Sequence, residues 1–248
     1  VNPTFKIPSA ETGTVYHVYV DAPDAAREPA PWPTVLFMDG DDMFAAGVAA
    51  YRDARDAGRV PPILLVGVGY GGSFSSPANR RGRDYTPVAH TDEPASGGAD
   101  AFLKFLTATL WPELARRYPV DASVRGIAGH SLGSLLVLHA LFREKPFFTH
   151  YLASAPSIWW ADRALLSEVE GLRAQQSTLT AKLFLSVGEK DSASMTGDLT
   201  LLEDQLASRP FAGLEIIAQR FPKKNHFNVL PVAFAAGLVA LLGQREGK

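Results

Sequence analysis

One serine in this chain stands where a hydroxyl can do chemistry. In GIAGHSLGS, residues 126–134, Ser131 has a glycine two positions before it and another two positions after it, Gly129 and Gly133. A serine held on a sharp strand-to-helix turn needs glycines there, because the neighbouring chain passes too close for β-carbons. A short apolar run enters the stretch and an apolar helical pattern, 132–142, leaves it. Ser131 is therefore expected at the amino end of a helix, where free N–H groups and the helix dipole stabilise developing negative charge. The competing reading is a plain N-cap serine. The paired glycines and the flanking elements favour a nucleophile.

A serine hydroxyl becomes a useful nucleophile only when a base takes its proton. Six histidines are available. His17 lies in an early strand pattern, His90 in a long loop, His139 two turns into the helix after the serine, and His150 at the start of a strand. His130 adjoins the serine but is expected to project in a different direction. His226, in KKNHFN between the last strand and the last helix, fits the chain order of nucleophile, acid and base. The acid should follow the strand at 183–187, where GEKDS offers Glu189 and Asp191. Asp191 lies further into the loop and is favoured; Glu189 stays open. Its task is to orient the imidazole and stabilise the imidazolium. An oxyanion hole needs two N–H donors. Leu132, directly after the serine, is one candidate. Asp41, through its backbone in the DGDD segment after the strand at 34–38, is the other. That acidic segment lacks the ligand spacing of a calcium loop, so no metal is expected.

These side chains need a scaffold that brings distant segments together. Strand-like runs at 14–20, 34–38, 63–66, around 126–128, and at 151–154, 183–187 and 214–219 alternate with helical patterns at 43–57, 99–118, 132–142, 165–175, 199–207 and 231–242. Pro112 should kink or restart the second helix. Such alternation predicts an α/β fold with a mainly parallel sheet and helices on both faces. No internal repeat or linker divides residues 1–248, so one domain is expected. Two loops are long, 22–33 and 67–98. The second leaves the carboxyl end of a strand, where open α/β sheets place their ligands. GVGYGG at 67–72 formally fits a dinucleotide fingerprint, but the residues after it, SFSSP, do not open a helix, and that reading is rejected.

The composition narrows the class. With 24 basic and 26 acidic groups there is no basic excess for nucleic acid. No apolar run reaches the ~18 residues of a membrane span. Cysteine is absent, which excludes disulfides and thiolate metal sites. The chain opens Val1-Asn2-Pro3 without an initiator methionine or an apolar segment, so its expected location stays open between a cytoplasmic protein and one exported after signal removal. Oligomeric state is not legible.

The stretches VLFMDGDDMF, PPILLVGVGY, RRGRDYTP, GIAGHSLGS, YLASAPSIWW, LFLSVGEKD and NHFNVLP, running from Thr34 to Pro231, together resemble the "putative esterase" family of the α/β-hydrolase superfamily. That family includes enterochelin and salmochelin esterases, feruloyl esterases, S-formylglutathione hydrolases and mycolyltransferases. SAPSIWW paired with RDYTP is most similar to the branch of siderophore trilactone esterases. The resemblance implies an α/β-hydrolase fold and a serine esterase working through an acyl-enzyme on a small-molecule ester, without a cofactor. It places Ser131, Asp191 and His226 at catalytic positions and the N–H groups of Leu132 and Asp41 in the oxyanion hole. Members with a Ser–His pair, or with Glu as the acid, keep Glu189 in view. Ser134 departs from the family, where a second glycine is usual, and is expected to affect packing. Trp159 and Trp160 are candidates for stacking on an aromatic acyl or catechol ring. Arg80, Arg81 and Arg83 are candidates for an anionic substrate, with an Arg–Asp84 contact as the plainer alternative. Acyl transfer to a sugar or alcohol, and a non-catalytic binding protein of the same fold, are the alternatives in function.

Overall fold

The apolar runs become the interior of one sheet. The computed structural model describes residues 2–243. Its elements in chain order are β1 (Phe5–Pro8), β2 (Val15–Asp21), β3 (Trp32–Phe37), α1 (Gly40–Asp56), β4 (Leu64–Gly69), α2 (Arg81–Asp84), α3 (Ala99–Lys104), a π-helical segment (Phe105–Leu110), α4 (Trp111–Arg117), β5 (Val120–His130), α5 (Leu132–Leu141), β6 (His150–Ser154), α6 (Trp160–Gln175), β7 (Thr178–Gly188), α7 (Ala193–Ser208), β8 (Ala212–Phe221) and α8 (Leu230–Leu242). Among the described residues the strands form one eight-stranded sheet, ordered β1-β2-β4-β3-β5-β6-β7-β8. β1 and β2 pair antiparallel, as do β2 and β4, and every pairing from β4 to β8 is parallel.

The two-residue strand period assigns neighbouring side chains to opposite layers. Leu36, Val66, Ile127, Tyr151 and Leu185 join one apolar core, under α3 to α7. Val35, Phe37, Leu65, Ala128, Leu152 and Phe184 join the other, under α1 and α8. Because both faces are covered, all six residues of β4 are buried, which is why its sequence reads as a continuous apolar run.

Several boundaries differ from expectation for identifiable reasons. Pro112 falls in the first turn of α4, and the six-residue π-helical segment precedes it, so the expected break is a widened turn inside one continuous run. β1 escapes the sequence pattern because it has four residues, half of them exposed. α6 was expected from residue 165 but begins at Trp160, with Ala161, Asp162 and Arg163 all at positive φ (47°, 53° and 64°). No residue type announces three consecutive left-handed conformations. The long loop at 67–98 loses its first residues to β4 and contains the short helix α2.

Candidate active site

β5 ends at His130 and α5 starts at Leu132, leaving Ser131 as the whole connection. Its backbone is forced to φ 59° and ψ −122°, a region that L residues rarely occupy. Hydrogen bonds hold it there. Ser131 N–H donates to the Ser154 carbonyl (3.0 Å), and the Ser131 carbonyl accepts from Ser134, Leu135 and Ser157 N–H (3.0, 3.1 and 3.2 Å). A β-carbon on Gly129 would collide with the backbone of Gly133, so the glycine spacing is a steric requirement of the turn. Ser134 is buried, and its Oγ lies 2.7 Å from the carbonyls of both Gly129 and Ser154. The residue that departs from the family pattern thus braces the elbow through a hydroxyl.

Ser131 is partly exposed, and its Oγ lies 3.3 Å from Ser157 Oγ, whose residue is buried. Among the described residues no hydrogen bond joins Ser131 to His226. The two are linked through His130, whose ring centroid is 4.6 Å from that of His226, with the planes at 44°. His130, expected only to project in a direction different from the serine, packs its ring against that of His226. It is 4% exposed, with Nδ1 3.2 Å from Ser154 Oγ. Burial, then the neighbouring charge of His226 and that of Arg81, push it down to about 3, so the ring stays neutral.

His226 Nδ1 lies 2.9 Å from Asp191 Oδ2. The Asp191 side chain is 3% exposed and that of His226 is 26% exposed, so the pair is sheltered but open on the imidazole side. Asp191 Oδ1 also accepts from Ser192 N–H at 2.7 Å. The loops carrying the two groups are fastened together. Lys190 N–H donates to the Lys224 carbonyl (2.8 Å), Glu189 N–H donates to the Phe221 carbonyl (3.0 Å), and a β-carbon on Gly188 would collide with the Lys224 carbonyl. Of the two candidate acids, Asp191 meets the imidazole, while Glu189 is exposed and pairs through its backbone.

The strand after which the oxyanion donor was expected ends at Phe37, and α1 begins at Gly40. Asp39, between them, has φ 55°, and its carbonyl accepts from Asp42 and Met43 N–H (3.0 and 2.8 Å). Asp41 lies in the first turn of α1 and Leu132 in the first turn of α5, where helix N–H groups have no intrahelical acceptor. The Asp41 carboxylate turns towards β2 and β4, accepting from Tyr19 Oη, Tyr70 N–H (2.5 Å) and Gly71 N–H (3.0 Å).

A constellation that the sequence reading missed supports this loop. The Asp39 carboxylate is fully buried and takes both arms of the Arg81 guanidinium, Nε to Oδ1 at 2.8 Å and Nη2 to Oδ2 at 3.1 Å. Burial raises the Asp39 carboxyl and Arg81 pulls it back. Asp39 N–H donates to Tyr85 Oη (2.9 Å). A β-carbon on Gly133 would come within 3.3 Å of Asp39 Oδ2, so the pair also touches the start of α5. Forty-two residues separate the partners, and no local pattern relates them.

The candidate arginines and tryptophans differ in what they contact. Both arms of Arg81 are engaged by Asp39. Arg83 Nε pairs with Asp84 at 2.7 Å, the plainer alternative, and Asp84 also accepts from Tyr16 Oη (2.7 Å). Arg80 is exposed and donates to the carbonyls of Pro77 and Asn79. A cavity of about 350 Å³ opens there, lined by Phe74, Asn79, Arg80 and Arg81 among others. Trp159 is 45% exposed, but Trp160 is 5% exposed and its Nε1–H donates to the Val88 carbonyl (2.8 Å). His139 is buried between Glu168 (2.7 Å) and Asp100 (3.0 Å), and His90 rests on Trp160.

The strand order and the strained serine between the fifth strand and its helix define an α/β-hydrolase-fold serine hydrolase. The family described as "Putative esterase" matches residues 9–209, and the chain belongs to it. It is 29% identical over 253 residues to the ferri-bacillibactin esterase BesA of Bacillus subtilis, covering 93% of this chain and 86% of that one. The BES protein of Bacillus cereus is structurally similar with a TM-score of 0.85 at 28% identity, over 95% of this chain and 92% of that one. The enterobactin hydrolase IroE in complex with DFP gives 0.75 at 25% identity, over 95% and 92%. The chain is a serine esterase. No helix among the described residues is long and apolar enough to cross a membrane.

Proposed function

We propose that the chain hydrolyses siderophore-type esters through an acyl-enzyme, with Ser131 as nucleophile, His226 as general base and Asp191 as its orienting acid. The observation that carries this reading is the sheltered His226–Asp191 bond at 2.9 Å, with the His226 ring packed on His130, the residue before the strained serine. Nδ1–H of His226 donates to Asp191, leaving Nε2 as the nitrogen that accepts the Ser131 proton. The transfer requires the hydroxyl to turn from Ser157, 3.3 Å away, to that nitrogen. Oγ attacks the ester carbonyl, and the alkoxide that forms is held by the N–H groups of Leu132 and Asp41. The imidazolium then protonates the departing alcohol. Water, deprotonated by the same imidazole, attacks the acyl-enzyme and releases the acid, returning the proton and Ser131 to their starting states.

The siderophore class is supported by the ferri-bacillibactin esterase among the relatives. The test is turnover of a trilactone siderophore, a feruloyl ester and p-nitrophenyl acetate by the protein and by Ser131→Ala. Loss of all three activities in the variant, with the trilactone leading in kcat/KM for the parent, is expected. Retained turnover in Ser131→Ala would reject the mechanism, and a trilactone no better than the acetate would reject the substrate class.

A further inference from the structure

Phe227 follows His226 directly and is 87% exposed; the next most exposed large apolar side chain among the described residues is Val15, at 51%. A phenyl ring left in water forgoes the burial that normally fixes its place in a fold. Loose backbone does not explain it. Asn225 Oδ1 accepts from Phe227 N–H (3.0 Å) and Asn228 N–H (3.1 Å), the Asn225 carbonyl accepts from Val229 N–H (3.1 Å), and Asn228 Oδ1 accepts from Asn225 N–H (2.8 Å). Four hydrogen bonds in five residues fix the turn that turns this ring outwards.

The ring stands over the catalytic imidazole. Its centroid is 5.6 Å from that of His226, with the planes at 89°, so the phenyl meets the imidazole at an edge-to-face angle. The other two exposed rings on loops at the same end of the sheet are differently engaged. Phe74, 47% exposed, has the Arg81 guanidinium 4.8 Å from its centroid, and Trp159 packs on Trp160 at 5.8 Å. Phe227 thus offers a planar apolar surface beside the imidazole ring. A second aromatic ring is the partner such a surface favours, through offset or edge-to-face contact in addition to area.

We propose that Phe227 is a substrate-binding residue that packs against an aromatic group in the acyl part of the ester. The assignment rests on the Ser131–His226 reading above. It predicts a preference for aryl over small aliphatic acyl groups, set at this one position. The test compares vinyl benzoate with vinyl acetate, which share a leaving group and differ only in the acyl part. The benzoate-to-acetate ratio of kcat/KM should fall about tenfold in Phe227→Ala, chiefly through KM for the benzoate, and be retained in Phe227→Trp. A ratio unchanged in Phe227→Ala, or one that falls equally in Phe227→Trp, overturns the proposal. Ser131→Ala, measured alongside, separates the two claims. Turnover surviving in it rejects the catalytic reading, whereas lost turnover there together with an unchanged ratio in Phe227→Ala rejects the subsite alone.

Discussion

Replacing Arg81 by methionine should damage stability before it damages substrate binding. The substitution keeps an unbranched apolar stem but leaves the fully buried Asp39 carboxylate without either arm of its fork. Removing one partner of a buried ion pair costs roughly 3 kcal/mol or more, because the remaining charge is neither solvated nor compensated. For 248 residues the unfolding entropy is about 0.5 kcal/mol per kelvin, so Tm should fall by about 6 °C. Asp39 sits between β3 and α1, with its carboxylate close to Gly133, so kcat should fall as well, as the elbow and the loop proposed to supply an oxyanion donor lose their shared brace. Asp39→Asn combined with Arg81→Met removes both charges and should recover much of the lost Tm, a coupling that a double-mutant cycle reads directly. Differential scanning calorimetry with steady-state kinetics on the three variants is the assay. An unchanged Tm in Arg81→Met, with only KM raised for an anionic ester, would show that the arginine faces substrate and that the bracing argument is wrong.

Asp191→Asn should lower kcat by on the order of 10³ to 10⁴-fold by disfavouring the productive imidazole tautomer, while Glu189→Gln stays within about twofold; stopped-flow ester hydrolysis separates them. Gly188→Ala should depress activity without loss of helix content by circular dichroism, since its β-carbon displaces the Lys224 carbonyl and with it the His226 loop. His130 is held down at about 3 against an ordinary 6.5, so below pH 6.5 the unfolded chain takes up a proton that the folded one refuses. The stability it supports is therefore complete above pH 6.5 and is lost progressively as pH falls towards 3. Urea titrations across that window should show a slope that is reduced in His130→Phe, with the remainder carried by other groups such as His150, which burial holds down to about 4.

What the sequence disclosed followed from local causes. Gly129 and Gly133 mark the elbow because a steric collision must be avoided within five residues. The buried parallel strands are legible because burial on both faces writes continuous apolar runs. His226 and Asp191 were reachable through chain order and their positions after strands. Asp39 with Arg81 was not, since a buried ion pair across 42 residues leaves no periodic trace. The contact of His130 with His226 was not legible, since the two rings come from segments 96 positions apart and meet only in the fold. Trp159 and Trp160 are equivalent as letters; a contact 72 positions away, Trp160 Nε1–H to the Val88 carbonyl, distinguishes them.

The central claim is that a single hydroxyl, activated by a distant imidazole, carries the reaction. Its most direct measurement is intact-protein mass and peptide mapping after treatment with a fluorophosphonate. The account predicts one adduct, on Ser131, absent in Ser131→Ala and formed far more slowly in His226→Gln. Labelling at another residue, or an undiminished rate in His226→Gln, would contradict it.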